Sequence, residues 1–338
     1  MNQRDSHITH IISEVIILFK YIIKNKRHAL ELPCLTYGTA NFETQDNDEF
    51  YFSLLDKYVE LGGTCVDTAR VYCSWLENGE DASESVIGRW MQERGNRGKI
   101  IIATKGGHPD HADMSVSRLD RQSLREDLSR SLECLQTDYI DIYFLHRDNE
   151  QVPVSEIMPT LNEFVESGKV RFIGASNWTT ARIEQANQWA LQHGMEQFVV
   201  SQINYSLAHS STDTFGDPTL VCMNMWEYNW YRKHQMPVMA FSPQAKGFFA
   251  RFAKGDASIP VDGQFTSTAN LARLARVKKI SEETGVPPAV VPLGYLNSQQ
   301  FFVSSVFAAT KLWQLEEDMA AQDLRYDAKT AAFLENIL

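Results

Sequence analysis

From Leu32 to Ala321 the sequence alternates between short apolar runs and stretches with helical spacing, and it completes the alternation eight times. The run Ile100-Ile101-Ile102-Ala103 is continuous rather than two-periodic. Continuous apolar strands belong to parallel sheets buried on both faces, where each crossover is a helix. The spacing predicts strands at Leu32–Thr39, Thr64–Asp67, Lys99–Lys105, Tyr139–His146, Val170–Ser176, Phe198–Ile203, Pro237–Phe241 and Phe301–Phe307. It predicts helices at Phe50–Leu61, Ser83–Arg94 with Ser83 as N-cap, Asp120–Leu135, Val154–Ser167, Thr180–His193, Leu220–His234, Thr268–Glu283 and Lys311–Ala321, with an extra helix over Thr330–Leu338. No Pro/Gly/Ser-rich linker interrupts the series. Regular βα repetition over this length points to a single-domain α/β protein, a (β/α)8 TIM barrel spanning residues 32–338. A doubly wound sheet is the alternative, but it wants a GxGxxG turn after its first strand, and Tyr37-Gly38-Thr39-Ala40-Asn41 is not one.

Residues 1–31 stand apart as an N-terminal extension. Ile8–Ile23 is largely apolar but carries Glu14 and Lys20, and is short for a membrane span. Its positive charges, Lys24, Lys26 and Arg27, come last, opposite to a secretion signal. It reads as an irregular helical extension packed on the barrel, with an interfacial membrane helix as the sharper alternative. No barrel-floor hairpin is recognisable there.

The net charge of -11 argues against general nucleic-acid binding, which needs clustered Lys and Arg. Cys34, Cys65, Cys73, Cys134 and Cys222 are scattered and lack CxxC spacing. That argues against a disulfide frame or a metal site, and suits a reducing, cytoplasmic setting. Cys73, beside Tyr72, is either a packing residue or a redox-sensitive thiol.

Barrel chemistry gathers where strands end at their carboxyl side. Asp67 ends the second strand and Tyr72 follows it; Lys105 ends the third, and His146 the fourth. Taken singly, each has a structural explanation: a rim charge, its partner, a loop aromatic, a satisfied core histidine. Four at successive strand ends is a pattern suited to carbonyl reduction. Tyrosine is a weak acid, and a nearby ammonium such as Lys105 is expected to lower its pKa and ease proton delivery, with Asp67 holding the ammonium. His146 can polarise a carbonyl oxygen. The set supplies no reductant, so a hydride-carrying cofactor is implied.

Several motifs together resemble the aldo-keto reductase family over roughly Leu35 to the C-terminus: Asp67-Thr-Ala-x-x-Tyr72, Ala103-Thr-Lys105, Asp141-x-Tyr-x-Leu-His146, Gly168-Lys-Val-Arg-x-x-Gly-x-Ser-Asn177 and Phe241-Ser-Pro243. The resemblance implies an oxidoreductase moving a hydride between NADP(H), or NAD(H), and an aldehyde, ketone or sugar-derived carbonyl. Tyr72 would be the general acid, tuned by Lys105 and Asp67, with His146 orienting the substrate. Ser176, Asn177 and Gln202 would hold the carboxamide, Phe241 would stack on the nicotinamide with Ser242 following, and Thr39, Ala40 and Asp67 would lie near it. Thr310, Lys311, Gln314 and Asp318 would meet the adenosine phosphate, although Thr310 stands where the family commonly has arginine. The alternative is an accessory or regulatory subunit that keeps fold and cofactor but turns over little. Tyr37, Trp75, His108, Arg147 and Trp178 follow strand ends and are candidates to line a substrate pocket. The acidic stretch Trp75–Glu84 argues against strongly anionic substrates. No metal is implied, and no nucleic-acid or firm membrane partner; the substrate and oligomeric state stay open.

Overall fold

The computed structural model describes residues 20–43, 47–253, 255 and 263–335. A hairpin comes first, β1 (Lys20–Lys24) paired antiparallel with β2 (Ala29–Pro33). Eight parallel strands follow: β3 (Leu35–Gly38), β4 (Cys65–Asp67), β5 (Ile101–Gly106), β6 (Ile140–Leu145), β7 (Val170–Ser176), β8 (Val200–Asn204), β9 (Val238–Phe241) and β10 (Val303–Phe307). They close into one barrel in sequence order, with β10 pairing back onto β3. The TIM-barrel expectation holds. No helix among the described residues is long and apolar enough to cross a membrane.

Residues 20–33 correct the expected helical extension. Most of the apolar run that begins at Ile8 lies outside the described residues, but its last part, Tyr21 to Ile23, is extended. The turn is made by Asn25, whose Oδ1 accepts from the backbone N–H groups of Arg27 and His28 at 2.9 and 2.8 Å. Ile23 and Leu32 are buried with Cys65, Ala103, Ile142, Phe172, Val200 and Met239, so the hairpin plugs the barrel floor. Asp141 holds the floor of β6. It accepts from the Ile102 amide at 3.0 Å and pairs with Arg97 at 2.9 Å and Arg171 at 2.8 Å. Its carboxylate is therefore structural, away from the strand's chemical end.

Two helix starts differ from expectation. The helix Ala82–Arg94 is preceded by Asp81, and Ser83 lies inside it. The Ser83 hydroxyl bonds instead to the Thr39 and Thr68 hydroxyls, each at 2.8 Å, tying the helix to the tops of β3 and β4. The helix expected from Leu220 begins at Met225, because Asn224 caps it by accepting from the Trp226 and Glu227 amides. Residues 221–223 are drawn to β8: Asn204 donates to the Val221 carbonyl at 3.0 Å and accepts from the Met223 amide at 2.8 Å. Helices Thr212–Phe215, Phe248–Ala253 and Val291–Asn297 were not foreseen. The helix Leu312–Met319 is shorter than expected and passes into a tighter turn at Ala320–Asp323.

Glu84 shows how deeply this packing buries charge. It is 1% exposed and accepts from the Thr104 hydroxyl at 2.5 Å, and burial raises its pKa to about 7. Between about pH 4.5 and 7 the folded state holds a proton that the unfolded chain has lost, so stability falls as pH rises through this window. Glu84→Gln should remove that slope and make the protein about 3 kcal/mol more stable than wild type at pH 8 than the same comparison gives at pH 4.5. Denaturant unfolding at the two pH values measures it, and equal differences would dismiss the buried-carboxyl account.

Candidate active site

The site is built from strand ends. The register pairs Gly38 with Asp67 and Asp67 with Ala103, and Lys105 with Phe144, so the acid, the ammonium and His146 rise on neighbouring strands. The turn after β4 carries Tyr72 back over Lys105, held by the Arg70 amide donating to the Lys105 carbonyl at 3.0 Å. Arg70 also pairs with Asp81.

Lys105 is the hub. Its ammonium, 1% exposed, donates to Asp67 Oδ2 at 2.7 Å, to the Thr68 carbonyl at 2.7 Å and to the Tyr72 hydroxyl at 2.9 Å. Asp67 is oriented from its other oxygen by Gln202 Nε2 at 2.7 Å. The Tyr72 and His146 rings meet edge to face at 5.9 Å between centroids. His146 Nδ1 is buried without a hydrogen-bond partner. The four residues named from the sequence thus come together.

Their electrostatics differ from expectation in one respect. Burial, followed by the Asp67 carboxylate, holds the Tyr72 phenol well above its ordinary pKa rather than below it. The cause is desolvation: a phenolate at this half-buried position costs more than its hydrogen bond from Lys105 returns. Tyr72 is therefore firmly protonated. Burial also lowers Lys105, opposed by Asp67, and lowers His146 well below the usual histidine value, helped by the neighbouring Arg147 charge. The imidazole is neutral at physiological pH.

Above these groups opens a cavity of about 960 Å³. Asp67, Tyr72, His146, Ser176, Asn177, Phe241, Ser242, Ala40, Thr310, Gln314 and Asp318 line it, as does Trp75. Other sequence candidates lie off its wall. Thr39 is buried and donates to the Asp67 carbonyl at 2.9 Å. Gln202 spends its amide on Asp67. Lys311 is exposed at the start of the helix Leu312–Met319. Tyr37 points into the core and donates to the Ala309 carbonyl at 2.8 Å. Trp178 is fully buried and donates to the Arg147 carbonyl at 3.2 Å. His108 stands behind His146, with ring centroids 4.8 Å apart. Burial lowers its pKa to about 4. Cys73 is buried too, and burial pushes its thiol up to about 12, the state of an inert packing residue.

Sequence reading missed Asn41, Gln244, Lys246 and Arg251 on the wall. Asn41 Oδ1 is a buried acceptor without a partner. Gln244, after β9, donates at 2.6 Å to Asp318 in the helix Leu312–Met319, and burial raises Asp318 to about 7. A basic pair five residues apart just after a strand end was the signal available for Lys246 and Arg251.

The wall thus offers an aromatic ring, hydroxyl and amide groups, an unpartnered acceptor and cations, which fits a nicotinamide dinucleotide. Asn177 is partly committed: its amide donates to the His146 carbonyl and the Ser176 hydroxyl, each at 3.2 Å. At their centre the tetrad can hold a proton on a phenol and receive charge beside an ammonium.

Residues 34–338 match the family described as Aldo/keto reductase family. Norsolorinic acid reductase B of Aspergillus parasiticus is 35% identical over 179 residues, covering 51% of this chain and 45% of that protein. The chain therefore matches less than half the length of that relative. The uncharacterized oxidoreductase YrpG of Bacillus subtilis is 26% identical over 325 residues, 92% of this chain and 94% of that protein. Protein tas of Escherichia coli is 25% identical over 338 aligned residues, 91% and 95% respectively. With the family match running almost from the first barrel strand to the last residue, this chain belongs to the aldo/keto reductase family.

Proposed function

We propose that the protein is a nicotinamide-dependent reductase of aldehydes or ketones, with Tyr72 as its general acid. The observation that carries this reading is the single Lys105 ammonium donating at once to Asp67 at 2.7 Å and to the Tyr72 hydroxyl at 2.9 Å beneath a cavity that His146 also lines.

Tyr72 keeps its proton until a carbonyl oxygen begins to gain negative charge, because burial disfavours the phenolate. As the proton leaves, Lys105 is already in place to stabilise the phenolate oxygen, and Asp67 keeps that ammonium charged and aimed. His146, neutral through burial, donates its one ring N–H to the same carbonyl oxygen without competing as an acid. A reduced nicotinamide, when bound, supplies the hydride. Phe241, Ser176 and Asn177 would hold its ring and carboxamide, while Thr310, Gln314 and Asp318 would meet the adenosine end. Lys246 and Arg251 on the same wall favour NADP(H), with NAD(H) the second choice.

Fluorescence titration with NADPH and NADH, followed by NADPH consumption over a panel of aldehydes, ketones and sugar-derived carbonyls, tests the reading. Saturable binding of NADPH and turnover of at least one carbonyl are expected. Binding of neither cofactor would sink it. Binding without turnover across the panel would favour an accessory role.

A further inference from the structure

The acidic stretch after Tyr72 does not face the cavity. Of residues 75–84 only Trp75 lines it. Glu80 and Asp81 turn to Arg70, Asp81 also reaches Arg130, and Glu84 is buried beneath Thr104. The stretch therefore adds no carboxylate to the cavity wall.

A cation stands in its place. Arg147, directly after His146 at the end of β6, lines the cavity although it is only 9% exposed. Its Nε donates to the Thr219 hydroxyl at 2.8 Å, one Nη to the His146 carbonyl at 3.0 Å and the other Nη to Asp217 Oδ2 at 3.1 Å. Those bonds take three of the roughly five N–H groups a guanidinium carries. Neither Asp217 nor Thr219 lines the cavity, and Thr219 borders a separate small pocket that Arg147 also lines. Asp217 itself is fixed, accepting from the Thr219 amide and hydroxyl at 2.9 and 2.6 Å. The counter-ion is thus held off the cavity wall, and Arg147, which is on that wall, has its rotamer already fixed. A preorganised arginine with spare N–H groups suits a planar carboxylate, since the ordering cost is met before the ligand arrives. The other wall cations, Lys246 and Arg251, follow β9 and are remote in the barrel order from β6. Of the acids on the wall, Glu43 is exposed, Asp67 pairs with Lys105, and Glu317 and Asp318 lie on the helix after β10.

We propose that Arg147 is a specificity-determining residue that binds a carboxylate on the substrate, so that the preferred substrates are oxo acids whose reacting carbonyl lies within a few bonds of the anion. The proposal rests on the reductase reading for its carbonyl, but not for its anion site.

Matched pairs separate the two. With NADPH, kcat/KM is compared for 4-oxobutanoate and its methyl ester, and for 4-carboxybenzaldehyde and its methyl ester. Wild type should favour the acid of at least one pair by about tenfold or more, the worth of a charge-assisted hydrogen bond. Arg147→Gln should abolish the preference, and Arg147→Lys should restore part of it. Because the readout is a ratio within one protein, general loss of activity does not imitate it. A wild-type ratio at or below one for both pairs overturns the proposal, as does a preference that survives in Arg147→Gln. If no aldehyde is reduced, quenching of tryptophan fluorescence, Trp75 being on the wall, is followed with 4-(hydroxymethyl)benzoate and its methyl ester. Tighter binding of the acid, lost in Arg147→Gln, keeps the anion site while the reductase reading fails; equal binding rejects the anion site.

Discussion

Tyr72→Phe is expected to lower kcat for carbonyl reduction by about 10²- to 10⁴-fold, the usual contribution of a positioned general acid. The change removes one oxygen and leaves the ring, so the edge-to-face contact with His146 at 5.9 Å persists and the cavity keeps its shape. Lys105 loses one of three acceptors but keeps Asp67 and the Thr68 carbonyl, both at 2.7 Å. Cofactor affinity should accordingly stay within about threefold of wild type, since the removed hydroxyl is not itself among the groups assigned to the dinucleotide. The pairing of the two readouts is what makes the test informative. Loss of turnover with intact NADPH binding assigns Tyr72 to proton delivery. Retained turnover would mean that His146 or water delivers the proton, and the acid assignment would have to be abandoned.

How much of this was legible in the sequence follows from which forces act locally. β6 was readable because the apolar run Ile142–Leu145 leading to His146 has few other uses in a chain of this composition. The tetrad was readable because strand ends in a barrel converge by geometry, whatever the intervening helices do. The hairpin at residues 20–33 was not, because its strands are short and its order depends on Ile23 and Leu32 finding the barrel floor, a contact distant in sequence. The start of the helix at Met225 was misplaced for a related reason: Asn224 offered a cap, but only pairing of residues 221–223 with Asn204 made the preceding residues extended. The direction of the Tyr72 shift was misread because spacing reveals which charges are close and says nothing of how dry they are. Trp178 and Tyr37 show the same limit. Both follow strand-end logic, yet each finds a buried carbonyl acceptor and turns inward. Arg147 was noticed only as one of several residues after a strand, because its fixed counter-ion, Asp217, is supplied by a loop 70 positions away.

Lys105→Met should cost both turnover and stability, and the two losses should come apart in a double variant. Lys105 and Asp67 are each 1% exposed and 2.7 Å apart. Removing the ammonium strands a buried carboxylate whose remaining donors are Gln202 at 2.7 Å and the Tyr72 hydroxyl at 3.4 Å. Breaking a buried pair in this way typically costs about 3–5 kcal/mol, because the uncompensated charge cannot reach water. Asp67→Asn added to Lys105→Met removes the stranded charge while keeping the shape and an oxygen for Gln202. Most of the lost stability should return, as a buried pair and a neutral replacement of similar volume are usually close in free energy. Turnover should not return, because nothing then stabilises the oxygen that Tyr72 bares when its proton leaves. Denaturant unfolding and NADPH consumption on the three variants decide the matter. If the double variant recovers activity along with stability, Lys105 serves the fold alone. The charge that answers proton transfer must then be sought elsewhere, first at Arg147, the cation next to His146 on the cavity wall.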